Sequence, residues 1–216
     1  MIRTIILDFD GVILESVSVK TDAFRELFSS EPDHQDEIVE FHIRNGGMSR
    51  FDKFRYIYSE ILHRDLSDEQ FRQLSNRFAG LVFEKILVTS FVKGAREFLE
   101  AYHSVIPLYV VSATPEDELQ QIVRKRELSH YFQKTYGAPR KKTDCINEIV
   151  SLTGTSPEAT LFVGDAINDL NASRASGVRF IGRIQKREEN PFEGLAGVEA
   201  VISDLNELAW YVGVNR

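Results

Sequence analysis

The sequence predicts an α/β fold: a parallel sheet with helices on both faces, interrupted by an inserted all-helical segment. Three observations carry that expectation. Short, nearly unbroken apolar runs recur at 2–7, 107–111, 160–163, 178–181 and 200–202, and runs rich in Val, Ile and Phe between Gly, Pro or Asp suit strands buried on both faces. Stretches of helical spacing separate them, and strand alternating with helix implies a parallel sheet covered on both sides. One interval, 15–89, breaks the alternation with helical patterning and no convincing strand.

The first run reaches acidic residues by position 8, without a long apolar stretch or a small-residue cleavage site, so it reads as a strand and not as a secretory leader. It ends in Asp8-Phe9-Asp10-Gly11. Asp8 and Asp10, two apart, share a side if the strand persists, and Gly11 lets the chain turn away at low steric cost. The interval that follows holds Phe24, Leu27 and Phe28, then Ile38, Phe41 and Ile43, then Phe54, Ile57, Ile61 and Leu62, then Phe71, Leu74, Phe78, Leu81 and Val82. Three- and four-residue steps give each helix an apolar stripe. The expectation is a helical cap domain over 15–89, placed as a lid on a core domain of 1–14 and 90–216. Inside it, residues 44–53 bring Arg44, Arg50 and Lys53 around a Gly46-Gly47 pair. That stretch is either a loop that meets a second anionic group of a substrate or a plain connection in which Ser49 caps the next helix.

Val92, Ala95, Phe98, Leu99 and Tyr102 then mark a helix, and the second apolar run ends in Ser112-Ala113-Thr114. Leu119, Ile122 and Val123 mark the next helix. A short strand-like run leads into Tyr136-Gly137-Ala138-Pro139 and three consecutive cations, Arg140, Lys141 and Lys142, just before another helix. The run at 160–163 ends in Gly164-Asp165-Ala166-Ile167-Asn168-Asp169. Residues 186–197, charged and containing Gly and Pro, read as a surface loop. Arg183 reads as structural. Cys145, alone in the chain, reads as a buried structural thiol, and the five histidines show no ligand spacing.

Ligands of an open parallel sheet bind beyond the carboxyl ends of its strands. Three strand ends here bring Asp8, Asp10, Asp165, Asp169 and Ser112 to one rim. Carboxylates so close repel and raise one another's pKa, and a divalent cation resolves the conflict. Magnesium is the expected ion, because it takes oxygen ligands from one or two carboxylates together with substrate phosphate. A carboxylate can attack phosphorus and form an aspartyl-phosphate, while a second carboxyl gives and takes the proton. Ser112, the backbone amides after it at Ala113, and a lysine are the donors available for the phosphoryl oxygens.

In combination, Asp8-Phe9-Asp10-Gly11-Val12, Ser112 after an apolar strand, a lysine after Gly-Ala-Pro, and Gly164-Asp165 followed by Asp169 resemble the haloacid dehalogenase superfamily. The resemblance is to its helical-cap subgroup of phosphoglycolate phosphatase and beta-phosphoglucomutase-like proteins, and it spans almost the whole chain. It implies a Rossmann-like parallel sheet and a set of roles. Asp8 would be nucleophile and metal ligand. Asp10 would be the general acid/base, with its backbone carbonyl on Mg²⁺. Ser112 would hold the phosphoryl group, with Lys142, or alternatively Lys141, as the phosphate-binding lysine. Asp165 would be a metal ligand, Asp169 would lie in or just behind the metal shell, and Asn168 would touch phosphate or metal water. Asp10 favours phosphate chemistry over carbon-halogen cleavage. Lys20 stands where mutase-like members carry histidine, and is expected to meet the substrate near the cap hinge. Glu15 replaces a common Asp, with Ser16 retained.

The function expected is Mg-dependent hydrolysis of a small organic phosphate monoester through an aspartyl-phosphate. A beta-phosphoglucomutase-type phosphomutase, or a non-catalytic phosphometabolite-binding protein, are the alternatives. The substrate candidates in the cap are Lys20, Arg44, Gly46, Gly47 and Arg50. The partner is a small phosphorylated metabolite. A net charge of -7 argues against nucleic acid, and no run approaches 18 apolar residues, so no membrane span is expected. The chain is expected to be cytoplasmic, as a monomer or homodimer.

Overall fold

A computed structural model describes residues 1–185 and 189–214. Six strands form one sheet: β1 (Thr4–Leu7), β2 (Leu108–Pro115), β3 (Lys134–Ala138), β4 (Thr160–Gly164), β5 (Arg179–Arg183) and β6 (Ala200–Ile202), in the order β3-β2-β1-β4-β5-β6. All five pairings are parallel. The four residues of β1 are wholly buried, as its apolar run requires, because β1 lies at the centre with both faces covered. Leu7 is in register with Val110 on one side and Val163 on the other.

Alternation along each strand divides the core in two. Ile5, Leu7, Leu108, Val110, Leu161 and Val163 face a layer with Phe98, Leu99, Leu119, Ile122, Leu205 and Leu208. These come from α5 (Ala95–Tyr102), α6 (Glu116–Lys125) and α9 (Leu205–Val214). Ile6, Tyr109, Val111 and Phe162 face the other layer, with Ile146, Ile149 and Leu170 from α7 (Lys142–Thr153) and α8 (Ile167–Ser176). Cys145 is buried in that second layer, where burial pushes its thiol up to about 11.

Between β1 and α5 lie α1 (Val17–Leu27), α2 (Gln35–Arg44), α3 (Arg50–Tyr56), a π-helical turn (Ile57–Ile61) and α4 (Asp68–Val88). Among the described residues this interval adds only isolated bridges to the strand inventory. Phe24 packs against Phe54 and Phe78, with ring centroids 5.8 and 4.9 Å away, so the aromatic residues of its stripes form an interior. Ile43 departs from its expected stripe and is 60% exposed. The neighbouring His42 turns inward in its place, its ring stacked on Phe24 at 4.0 Å.

The two ends of the interval meet. Leu14 bridges Phe91, Val92 N donates to Ile13 O, and Glu15 N donates to Ser90 O, both at 3.0 Å. The C-terminal end of α4 is further tied to the sheet side by Arg126, whose Nη1 donates to Ile86 O, Leu87 O and Thr89 O at 3.1, 2.8 and 2.6 Å.

Two readings of the sequence need adjustment. β2 continues past Val111 to Pro115, with its register on β3 shifting between Val111 and Pro115, and Ser112 and Thr114 are buried polar residues on this strand end. The surface loop at 186–197 has residues 186–188 outside the described residues. Within the rest of it, Phe192 is buried against Phe180.

Candidate active site

The strand order reverses between β1 and β4, and such a switch point opens a crevice beyond the carboxyl ends of the two strands. Asp8 follows β1 directly and its amide donates to Val163 O of β4 at 2.9 Å. Asp165 follows β4. Asp169 lies in the first turn of α8, fully buried, and its Oδ2 accepts from Ala166 N at 3.1 Å. Carboxylate oxygens of Asp8, Asp165 and Asp169 all lie within 4.8 Å of one another.

Lys142, the first residue of α7, reaches into this group. Its Nζ donates to Asp8 Oδ2 at 2.9 Å and to Asp169 Oδ1 at 2.5 Å. Lys141 stands at the N-cap position of the helix without a side-chain capping bond, and is exposed. Burial would pull the Lys142 ammonium down, but Asp169 and Asp8 outweigh it and hold the proton far above the usual lysine range. Burial pushes the Asp8 carboxyl up to about 7, with Asp169 and Asp10 adding to the rise and Lys142 opposing it. Burial, then Asp8 and Asp169, drive Asp165 well above the ordinary carboxylate range. An all-oxygen donor set in which two carboxylates are held up by burial and mutual repulsion fits a hard divalent cation.

Asp10 is placed differently. Lys20 Nζ donates to its Oδ2 at 2.5 Å and to Thr114 Oγ1 at 2.8 Å. Thr114 Oγ1 donates to the same oxygen at 2.9 Å, and Ser16 Oγ to Oδ1 at 2.6 Å. Burial works to raise the Asp10 carboxyl, but the Lys20 charge and these hydrogen bonds prevail and keep it below its ordinary value.

The turn after Asp10 requires glycine. Gly11 has φ +75°, and a Cβ there would lie 2.1 Å from Asp165 Oδ2. Arg183 holds this turn from the end of β5. Its Nη1 donates to Gly11 O at 3.0 Å, and its guanidinium grips Glu15 through contacts of 2.9 and 2.5 Å. Arg183 thus has the structural role expected of it, and Glu15 is its counterion.

A cleft of about 380 Å³ opens over the rim, lined by Asp8, Asp10, Ser112, Ala113 and Asp165 below and by α1 to α4 and their connections above. Gly46 and Gly47 line it, pressed so near α8 that a Cβ on Gly47 would lie 3.2 Å from Cβ atoms of both Ala166 and Asn168. A smaller opening of about 300 Å³ on the far side of this contact shares Gly47, Met48, Ser112 and Ala113 with the main cleft and adds Lys142 and Asn168. Ser112 is buried and accepts from Thr114 N at 3.1 Å.

Two of the expected cap cations have other tasks. Arg44 is exposed, paired with Glu40 one turn back on α2, and lies outside the cleft lining. Arg50 lines the cleft, but both oxygens of Glu118, in the first turn of α6, accept from its Nη2 at 2.7 and 2.6 Å, so it joins the inserted helices to the sheet side. Lys20 also lines the cleft, with its ammonium committed to Asp10. Ser49 caps α3 by accepting from Asp52 N at 3.2 Å.

Sequence reasoning gave no role to Thr114, His42 or Glu118, and named Lys53 only among the three cations of the 44–53 stretch. Thr114 carried a usable signal, being two residues beyond Ser112 on the same side of a strand. Lys53, buried in α3, donates to His42 Nδ1 and His42 O at 3.0 Å each. Burial, then the nearby lysines Lys53 and Lys20, keep that histidine neutral down to about 2.

Comparison with known proteins identifies a family and structures of the same fold. A family model described as haloacid dehalogenase-like hydrolase matches residues 5–183. Phosphoglycolate phosphatase 1 of Pseudomonas aeruginosa is 26% identical over 185 residues, covering 82% of this chain and 67% of that protein. A hydrolase from Pseudomonas syringae superposes with a TM-score of 0.78 at 20% identity, covering 98% of each chain. YfnB of Bacillus subtilis, solved bound to magnesium, superposes at 0.71 with 19% identity, again over 98% of each. Among the described residues, no helix is long and apolar enough to cross a membrane.

Proposed function

The chain belongs to the haloacid dehalogenase-like hydrolase family, and from that premise we propose that it is a magnesium-dependent, cytoplasmic phosphatase of small organic phosphate monoesters, with Asp8 as nucleophile. The observation that carries the reading is the buried group of Asp8, Asp165 and Asp169 around the Lys142 ammonium, with Asp10 beside it. The relatives named phosphoglycolate phosphatase support a phosphate ester as substrate.

An Asp8 carboxylate oxygen bonds to phosphorus as the bond from phosphorus to the alcohol oxygen breaks, and Asp10 passes the departing oxygen a proton. Water then attacks the aspartyl-phosphate, and Asp10 takes the water's proton. Ionised beside Lys20, Asp10 is in the state this second step needs, so the proton it passes to the alcohol oxygen in the first step must arrive with the ester, as a singly protonated phosphate carries one. Lys142, the Ser112 hydroxyl and the Ala113 amide hold the phosphoryl oxygens, where charge is spread in the transition state. Mg²⁺, held by Asp8, Asp165 and the Asp10 carbonyl with Asp169 behind, would add positive charge on the same oxygens. The inserted helices, acting as a cap, exclude water until the ester is bound.

Hydrolysis of p-nitrophenyl phosphate with Mg²⁺ tests the reading. Activity is expected to vanish on chelation and in Asp8→Asn. Turnover that survives both would overturn it.

A further inference from the structure

The cleft contains one cation that nothing so far employs. Of the basic residues lining it, Lys20 pairs with Asp10, Arg25 with Asp22 and Arg50 with Glu118. Lys53 pairs with no carboxylate of the described residues. It is only 3% exposed, and its two polar contacts are neutral acceptors, the ring nitrogen and the carbonyl of His42. His42 is itself fixed by stacking on Phe24, whose ring also lies 5.5 Å from Lys53 Nζ.

A buried ammonium without a counterion is costly, and the structure bears that cost at a cleft wall instead of deep in a core. Two of its three N–H groups are satisfied by His42, which aims the side chain and leaves one donor and, when protonated, a charge without a counterion. Burial, with Lys20 next, brings this ammonium down to about 7 against a smaller opposing pull from Asp165. An arriving anion would reverse that.

We infer that Lys53, aimed by His42, selects the substrate by pairing with a carboxylate on the organic part of the phosphate ester. The preferred substrates are then phosphate monoesters of small hydroxy acids. A carboxylate matches the one unpaired positive charge, whereas a second phosphate, carrying nearly two charges, would leave one buried without a partner. Neutral alcohol phosphates would leave the ammonium itself unpaired. This rests on the phosphatase reading above and narrows it from phosphate esters in general to one class.

Three esters of equal chain length separate the cases: 2-phosphoglycolate, 2-hydroxyethyl phosphate and the bisphosphate of ethylene glycol. The wild type is expected to favour the acid over the neutral ester in kcat/KM by about tenfold or more, as one hydrogen bond to a charged group provides. Lys53→Met is expected to bring that ratio close to one, mainly through KM for the acid. Equal rates on the acid and the neutral ester in the wild type, or a preference for the bisphosphate, would overturn the inference while the phosphatase reading stands. That comparison needs no variant, so it decides the matter even if Lys53→Met does not fold. A ratio unchanged in a folded Lys53→Met would make Lys53 a structural residue. Failure to hydrolyse any of the three, or p-nitrophenyl phosphate, would remove both readings together.

Discussion

On Lys142 two ion pairs converge, to Asp8 and Asp169, whose carboxylates lie with that of Asp165 within 4.8 Å of one another. Lys142→Met leaves the carboxylates of Asp8, Asp165 and Asp169 facing one another and takes a cation from the proposed phosphoryl site. Steady-state assays are expected to show kcat reduced by about 10²–10³-fold, the scale of losing one preorganised charge-stabilising donor. Asp10→Asn is expected to cost about 10²–10⁴-fold in kcat/KM on an alkyl phosphate, and distinctly less on p-nitrophenyl phosphate, whose leaving group departs without a proton. Lys53 gives a pH effect of definite sign. Folded, it holds its proton only below about 7, but in the unfolded chain up to 10.5. The unfolded chain therefore binds more protons across that window, and the penalty of burying the charge fades as pH rises. Urea unfolding at about pH 7 and about pH 10 is expected to show wild type gaining stability relative to Lys53→Met, while His42, Lys20 and Asp165, the charged or titratable groups acting on Lys53, are common to both proteins. The rim carboxylates were legible because each sits at a fixed offset from a strand end, whereas Lys142 was singled out from its neighbours Arg140 and Lys141 only by the family resemblance. The pairing of Lys53 with His42 was not legible, since it joins two helices whose mutual rotation no local pattern encodes.

Among the elements, the connection from α2 to α3 and the first turn of α6 make the contact between inserted helices and sheet. Gly47 has φ +74° and lies tight against α8, so Gly47→Ala is expected to cost about 1–2 kcal/mol, the price of a left-handed L-residue, before any clash is added. The Arg50–Glu118 pair is nearly dry, with side chains 6% and 12% exposed. Removing one partner strands the other, and Arg50→Met is expected to lower stability by about 3–5 kcal/mol in denaturant titration. Helices and strands of this chain could be read from their apolar periods. The partner of Arg50 could not, because two cations in one connection, Arg44 and Arg50, look alike until a neighbour 68 residues away decides which is neutralised. The end of β2 was hidden for a related reason: its last residues are polar, and polarity ends an apolar run without ending a strand.

Across the whole molecule, the strand order puts β1 beside β4, so that residues far apart in sequence, Asp8 and Asp165, share one crevice. A divalent ion bound there would recognise the folded chain alone. Magnesium at about a hundred times its dissociation constant is expected to add about 2.7 kcal/mol of stability, seen as a rise in Tm that EDTA reverses and Asp165→Asn lacks.

The meeting of the inserted segment's two ends has a consequence for how such a chain can change. Ile13 with Val92 and Glu15 with Ser90 are each joined by a single hydrogen bond, so the segment leaves and re-enters at one point beside β1. Insertions are tolerated where the joined ends are already close. Recombination could therefore exchange everything between those two junctions for a longer, shorter or unrelated piece. The register of β1 on β2 and β4, and with it the spacing of Asp8 from Asp165, would be inherited unchanged.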